Sequence, residues 1–220
     1  MRKLGVLVAL AASLVAGQVS AQVANGSFEG TVAPWVVQTI AGGCLANPKM
    51  PPNGATYDNP QPATAVQGTQ YAELHVNNNN SICALYQDVA ITAATSQLTL
   101  SAASGFNGGA AVAGSAATAE VTTTTGTVLI TLYSRNGSQP ADGNFNTYRA
   151  DLTPFVGQTV RIRYTVSNNA SCCATVFADA VSLAPSAASV PTMSEWAMIL
   201  FGLVLAGCAA LFIQRRRIPA

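Results

Sequence analysis

Few residues in this chain have the types and spacing that chemistry needs. The sole histidine, His75, sits in alternating strand-like context, and no Gly-x-Ser-x-Gly elbow accompanies it. Glu73 and Asp88 are acids of the kind a glycosidase pairs, but the acidic residues are scattered and nothing sets two of them at a working distance. Cys44, Cys83, Cys172 and Cys173 lack CxxC spacing, which argues against a thiolate metal site. These four lie in the part expected outside the cytoplasm, where oxidising conditions favour disulfides. Each borders a Gly- or Asn-rich loop, so they read as loop staples, with three pairings open. Cys208 belongs to the apolar tail. Aromatic faces that could stack on sugars are Tyr57, Tyr86, Phe145 and Tyr148, whereas Trp35, which opens an apolar strand, reads as core. Asp179 shares strand parity with Phe177, Val181 and Leu183, so its carboxylate is expected to point with the core residues. Such a group needs a partner, because an unpaired buried carboxylate costs several kcal/mol.

Both ends of the chain carry targeting signals. Arg2 and Lys3, the apolar run from Leu4 to Ala16 and the small residues Val19, Ser20 and Ala21 make a secretory signal over residues 1–21. The mature chain is expected to start at Gln22. From Ala197 to Ile213 no residue is charged, a run of about 17 residues and about 25 Å as a helix, at the short end of a membrane span. Trp196 stands at one edge and Arg215, Arg216 and Arg217 at the other, which orients the arginines to the cytoplasm. The expected topology is a single transmembrane helix in the inner membrane with the body of the protein outside it.

Val190, Pro191, Thr192, Met193, Ser194, Glu195 and Trp196, followed by the hydrophobic run and the arginine cluster, resemble the IPTL-type C-terminal protein-sorting signal of Gram-negative bacteria. Val190 and Met193 stand where that family usually has Ile and Leu. The resemblance implies an exosortase-family transpeptidase as partner, with cleavage at the motif and transfer to the cell envelope.

Residues 22–184 are expected to form one domain, with 185–189 as linker and 190–217 as motif, helix and arginines. This length suffices for a core. Between Gln22 and Val190 stand five basic and eight acidic residues, so nucleic acid is a poor partner. Short alternating segments predict strands over 35–40, 71–76, 84–91, 97–102, 127–133, 159–166 and 174–183. Residues 42–62 read as a long loop, 110–119 as loop into strand and 135–146 as a polar loop. The pattern predicts an all-β, two-sheet sandwich.

The order of Asn25-Gly26-Ser27-Phe28-Glu29, Gly68 to Leu74, Leu85 to Val89, Asp151-Leu152-Thr153, Val160 to Tyr164 and Phe177 to Leu183 resembles the galactose-binding-like jelly roll of many carbohydrate-binding modules. The resemblance implies a structural Ca²⁺ held by Glu29 and Asp179, although Ala180 stands where the family often has a further Asp or Asn. It also implies contact with an envelope or matrix glycan; the candidate ligand residue is Tyr57, in the Pro-rich loop beside Asp58 and Asn59. The expectation is therefore an exported, envelope-anchored, non-catalytic surface or matrix protein with glycan contact. The alternatives are a purely structural or adhesive envelope protein without a small ligand, and a glycan hydrolase.

Overall fold

The computed structural model describes residues 23–49, 61–77, 79–106, 113–137, 139–140, 142–169, 173–186 and 193–216. The signal segment, Tyr57, Cys172 and Val190 to Thr192 lie outside the described residues. Residues 1–186 and 187–220 form two separate compact units.

The described residues of the first unit form ten strands: β1 Val36–Ala41, β2 Leu45–Lys49, β3 Tyr71–Val76, β4 Ser81–Ala90, β5 Gln97–Phe106, β6 Ala116–Thr123, β7 Val128–Asn136, β8 Asn146–Asp151, β9 Thr159–Asn168 and β10 Ala174–Ala184. They build two five-stranded sheets, ordered β1-β4-β9-β6-β7 and β2-β3-β10-β5-β8. Every pairing is antiparallel. The expected all-β two-sheet sandwich is what forms.

Strand β9 shows why. Val160, Ile162, Tyr164 and Val166 are buried, and the residues between them face outward. On that outer face Arg161 lies opposite Asp88 of β4 and Arg163 opposite Glu120 of β6. Both pairs are hydrogen-bonded, at 2.7 Å in each case, so cross-strand charge complementarity reinforces the register. Trp35 is core, as expected. Its ring packs 5.1 Å from Phe28 and 6.1 Å from Tyr164, and its indole N–H donates to the Ala24 carbonyl at 3.0 Å.

Two strands depart from the reading of the sequence. β2 lies inside the segment read as loop, and β8 follows the polar loop where no strand was expected. Both are edge strands, each paired on one side only. An edge strand tolerates Pro48, because a missing N–H there breaks no ladder.

Strand β3 is buried along its whole length. Ala72, Leu74 and Val76 enter the main core between the sheets. Tyr71, Glu73 and His75 alternate to the opposite face, which an antiparallel sheet often leaves wet. Here that face carries a second apolar cluster of Tyr71, Ala103 and Phe177, with Ala65 and Phe145 against it. Tyr71 meets Phe145 and Phe177 edge-on, at 5.4 and 5.6 Å. His75 and Thr175, opposite each other on β3 and β10, hydrogen-bond at 2.9 Å. Glu73 is not a surface charge but a buried one.

Cys44 and Cys83 are joined, with Cα atoms 5.6 Å apart across 39 residues of sequence. Cys83 is in β4 of one sheet, and Cys44 immediately precedes β2 of the other. The bond therefore ties the sheets together on the β1/β2 side of the sandwich. Cys173 is disulfide-bonded as well, and Cys208 is free and exposed.

In the second unit, Met193–Arg216 is a single helix, α1. The sorting-motif residues Met193, Ser194, Glu195 and Trp196 form its first turn. Residues 197–209, 212 and 213 are exposed, with Ile199, Leu200, Phe201, Leu203, Val204 and Leu205 among them. Among the described residues, no helix is long and apolar enough to cross a membrane.

Candidate functional site

The residues suggested by the sequence separate into two places. Glu29 and Asp179 converge on one loop, and Tyr148 joins a cleft at the open side of the sandwich.

Asp179 is fully buried, but not in the main core. Val176 and Ala178 belong to the core, so Phe177 and Asp179 point to the other face of the sheet. Val181 re-enters the core because the strand bulges. The β10–β5 register slips between Asp179 and Ser182, and Ala180 takes a positive φ of 51°. A bulge of this kind turns the side chains around it and breaks simple parity. The alternation drawn from Phe177 to Leu183 therefore fails at Ala180. Val181 N–H then bonds to the Gly26 carbonyl at 2.9 Å, drawing the opening Asn25–Glu29 segment onto β10. Gly26 fits because a Cβ there would collide with the backbone carbonyl oxygen of Val181.

Both carboxylates spend their oxygens on donors. Asp179 Oδ2 accepts Val66 N–H at 2.7 Å and Gln67 N–H at 3.1 Å, and Oδ1 accepts Ala180 N–H at 2.7 Å. Glu29 Oε1 accepts Thr69 N–H at 2.8 Å and Gln70 N–H at 2.9 Å, and Oε2 accepts the Thr69 hydroxyl at 2.9 Å. The Gln70 side chain returns the contact by accepting Gly30 N–H at 2.6 Å. The two acids thus clamp the loop Val66–Gln70. Burial pushes the Asp179 carboxyl up to about 6, against its three N–H bonds and with a further push from the charge of Glu29. The backbone bonds from Gln70 and Thr69 hold Glu29 below the usual carboxylate range.

Five N–H groups and one hydroxyl point their hydrogens at the two carboxylates, so each acid has partners without the Ca²⁺ that the resemblance implies. Among the described residues, no group of three His, Cys, Asp or Glu side chains gathers as a metal site.

The second place is a cleft of about 290 Å³ between the ends of β7 and β8, edge strands of opposite sheets. Its floor is built on Asp142, whose side chain is 8% exposed. Asp142 Oδ1 accepts Ser104 N–H at 2.7 Å and the Ser104 hydroxyl at 3.2 Å, and Oδ2 accepts the Tyr133 hydroxyl at 3.0 Å. The rings of Tyr133 and Tyr148 lie 5.6 Å apart, tilted by 54°. Tyr133 is buried, and desolvation holds its phenol well above the ordinary range. Tyr148 is half-buried; partial desolvation first, then the charge of Asp142, raises its pKa. At the mouth stand Arg135, whose Nε lies 3.7 Å from Asp142 Oδ2, and the amides of Gln139 and Asn146. An aromatic face bordered by amides and a guanidinium suits a polar, hydroxyl-rich ligand.

Of the other aromatic candidates, Phe145 packs into the second apolar cluster, and Tyr86 lies under Arg161, 3.7 Å from ring centre to guanidinium carbon. Glu73 and Asp88 stand on different sheets, and Asp88 holds Arg161 through two hydrogen bonds. Tyr133, Arg135 and Asp142 were not among the expected site residues. The segment 135–146 reads only as a polar loop, and nothing local says that Asp142 folds back onto Ser104 of β5.

Comparison with known proteins adds two findings. Residues 188–217 match the IPTL-CTERM motif, which confirms the sorting signal and extends it by two residues at its start. No curated protein matches the sequence. Among solved structures, a carbohydrate-binding module from a study of promiscuous specificity in the β-sandwich superfamily is 13% identical, with a TM-score of 0.50, over 75% of this chain and 63% of that one. The enzymatically active domain of bacteriophage CBA120 tailspike protein 4 is 14% identical, with a TM-score of 0.47, over 74% of this chain and 21% of that one. The module TmCBM61, solved with β-1,4-galactotriose, is 13% identical, with a TM-score of 0.44, over 73% and 92%. The chain thus spans less than two thirds of the tailspike domain and of the first module. At these identities the likeness is one of fold alone: a two-sheet β-sandwich like that of the first module.

Proposed function

We propose that this protein is an exported, non-catalytic glycan-binding module with a jelly-roll body, delivered to the envelope of a Gram-negative bacterium by its C-terminal signal. The observation that carries the reading is the IPTL-CTERM motif at residues 188–217, placed directly after a sandwich of the carbohydrate-binding-module kind. The motif implies exosortase-type processing. The uncharged run from Ala197 to Ile213, rich in exposed apolar side chains and followed by Arg215 to Arg217, supports its holding the chain at the inner membrane until cleavage. The cleft at Tyr148 supports glycan contact, since a sugar stacks on a half-exposed ring while amides and Arg135 reach its hydroxyls. The separation of Glu73 from Asp88 supports a binding rather than a hydrolytic role.

Two measurements test this. Mass spectrometry of the protein recovered from the native envelope should find the N-terminus at Gln22 and a C-terminus within the sorting motif. A glycan array probed with the detergent-solubilised full chain should show binding that Tyr148→Ala removes. A blank array would leave the rival of a structural or adhesive envelope protein, and an intact tail in the envelope would refute processing.

A further inference from the structure

We infer that the cleft between β7 and β8 selects acidic glycans, with the Arg135 guanidinium receiving the carboxylate of a uronate residue while Tyr148 stacks on its ring. This rests on the proposed glycan-binding reading and adds the substrate class.

The argument begins with the arginines of the sandwich. Arg161 gives two hydrogen bonds to Asp88. Arg163 bonds Glu120. Arg149 stands on β8 opposite Thr99, on the other face from Tyr148, so it does not enter the cleft. Arg135 differs from all of these. It lies at the cleft mouth with its side chain 31% exposed, and its ion pair with Asp142 is long, 3.7 Å from Nε to Oδ2, beyond hydrogen-bond distance. No hydrogen bond from its guanidinium is made among the described residues, although a guanidinium offers five donors in a rigid fork.

Asp142 does not answer that fork. Its lone pairs are already directed at Ser104 N–H, the Ser104 hydroxyl and the Tyr133 hydroxyl. Three donors hold the negative charge at the floor, and the positive charge remains at the mouth. A ligand entering beside Tyr148 therefore meets an outward-facing, half-desolvated cation whose planar N–H pair matches a carboxylate bidentately. Neutral sugars use only part of this, because a hydroxyl accepts one such bond without charge. The volume of about 290 Å³ is at the small end for ligand sites and suits one sugar residue within a chain that continues past both sides of the open edge.

The edge position also explains why the site is available. The outer face of the β2-β3-β10-β5-β8 sheet is filled around β3 and β10 by the second apolar cluster and buried polar residues. The Cys44–Cys83 bond ties the β1/β2 side. The β7/β8 side has no disulfide among the described residues, and there the cleft opens.

The test compares oligomeric polygalacturonate with its fully methyl-esterified form, which keeps the sugar backbone and removes the charge. Binding to the detergent-solubilised full chain is measured by calorimetry at low and at moderate salt. The expected result is a preference for the acidic form of roughly tenfold or more at low salt, shrinking as salt rises. Arg135→Gln should bring the preference close to one by weakening the acidic form far more than the esterified form. Should Arg135→Gln fail to fold, Ser134→Glu, an exposed change on the cleft wall, places a negative charge at the mouth and should abolish the acidic preference. Equal binding of both forms, lost in Tyr148→Ala, would overturn the acidic selectivity and leave the glycan-binding reading standing. Failure of both forms to bind, together with a blank glycan array, would remove that reading too.

Discussion

Replacing Asp179 by asparagine separates two effects that the fold combines at one buried group. Burial raises this carboxyl to about 6 from its ordinary 3.8. An acid raised in the folded state holds its proton more tightly there than in the unfolded chain. Between about pH 4 and pH 6 the folded state therefore binds more protons, and stability falls as pH rises through that window. Above it the penalty is fully present, about 3 kcal/mol for about two pKa units. Asparagine cannot titrate and removes this slope. It also turns one acceptor into a donor. Keeping its oxygen on Val66 and Gln67 leaves Ala180 N–H facing an amide N–H, at a cost of about 1–3 kcal/mol. The assay is denaturant unfolding of the full chain and the variant, followed by Trp35 fluorescence in a Trp196→Phe background. It is run at about pH 4.5 and about pH 7, with EDTA and again with excess Ca²⁺. The stability difference between wild type and variant should shift toward wild type by about 2 kcal/mol at the lower pH, and calcium should change nothing. A shift of opposite sign would mean that the three N–H bonds outweigh desolvation and that the carboxylate is an ordinary depressed one. A shift of opposite sign seen only with Ca²⁺ would mean that a cation displaces those donors, and the clamp described here would be refuted.

Two further predictions concern the same frame. Cys44→Ala with Cys83→Ala should cost about 4 kcal/mol by loop-closure entropy across 39 residues, read as a lower unfolding midpoint; an unchanged midpoint would show that the β1/β2 side does not depend on the bond. Gly68→Ala forces a side chain onto φ +72° and a Cβ onto Glu29 Oε1, at about 2–3 kcal/mol. Glu29→Ala in the same chain should remove part of that cost, so the double variant is less destabilised than the sum of the singles, and strict additivity would contradict the contact.

How much was legible in the sequence followed from whether the signal was local. β9 was legible because Val160, Ile162, Tyr164 and Val166 alternate and the strand is central, paired on both sides. β2 was not, because Pro48 and the surrounding Gly and Pro residues read as a loop, and only pairing with β3 makes it a strand. β8 was hidden for a similar reason: Asn146-Thr147-Tyr148-Arg149 is polar on an edge, and its partner β5 lies about 45 residues earlier in the chain. Asp179 was singled out correctly as a buried acid. Its surroundings were misjudged, because a single positive-φ residue, Ala180, reverses the facing of everything after it. Tyr148 was visible as an aromatic candidate. Tyr133, Arg135 and Asp142 were not, since their meeting depends on two edge strands of different sheets ending at the same level.

The sorting signal and the cleft constrain each other physically. A protein cut within its sorting motif, as proposed, loses the helix and keeps its body for contact with its surroundings, so its ligand site would lie on the sandwich. Most of the sandwich is closed to that role. The inner faces are core, the outer face of one sheet is filled around Phe177, and the outer face of the other is laced by Arg161–Asp88 and Arg163–Glu120. Charges paired in this way are satisfied within the fold and offer little to a ligand. Arg135 sits in the cleft, 3.7 Å from Asp142, an acid that also accepts from Ser104 and Tyr133. On the proposed reading, the ligand group that matches its planar fork is a carboxylate.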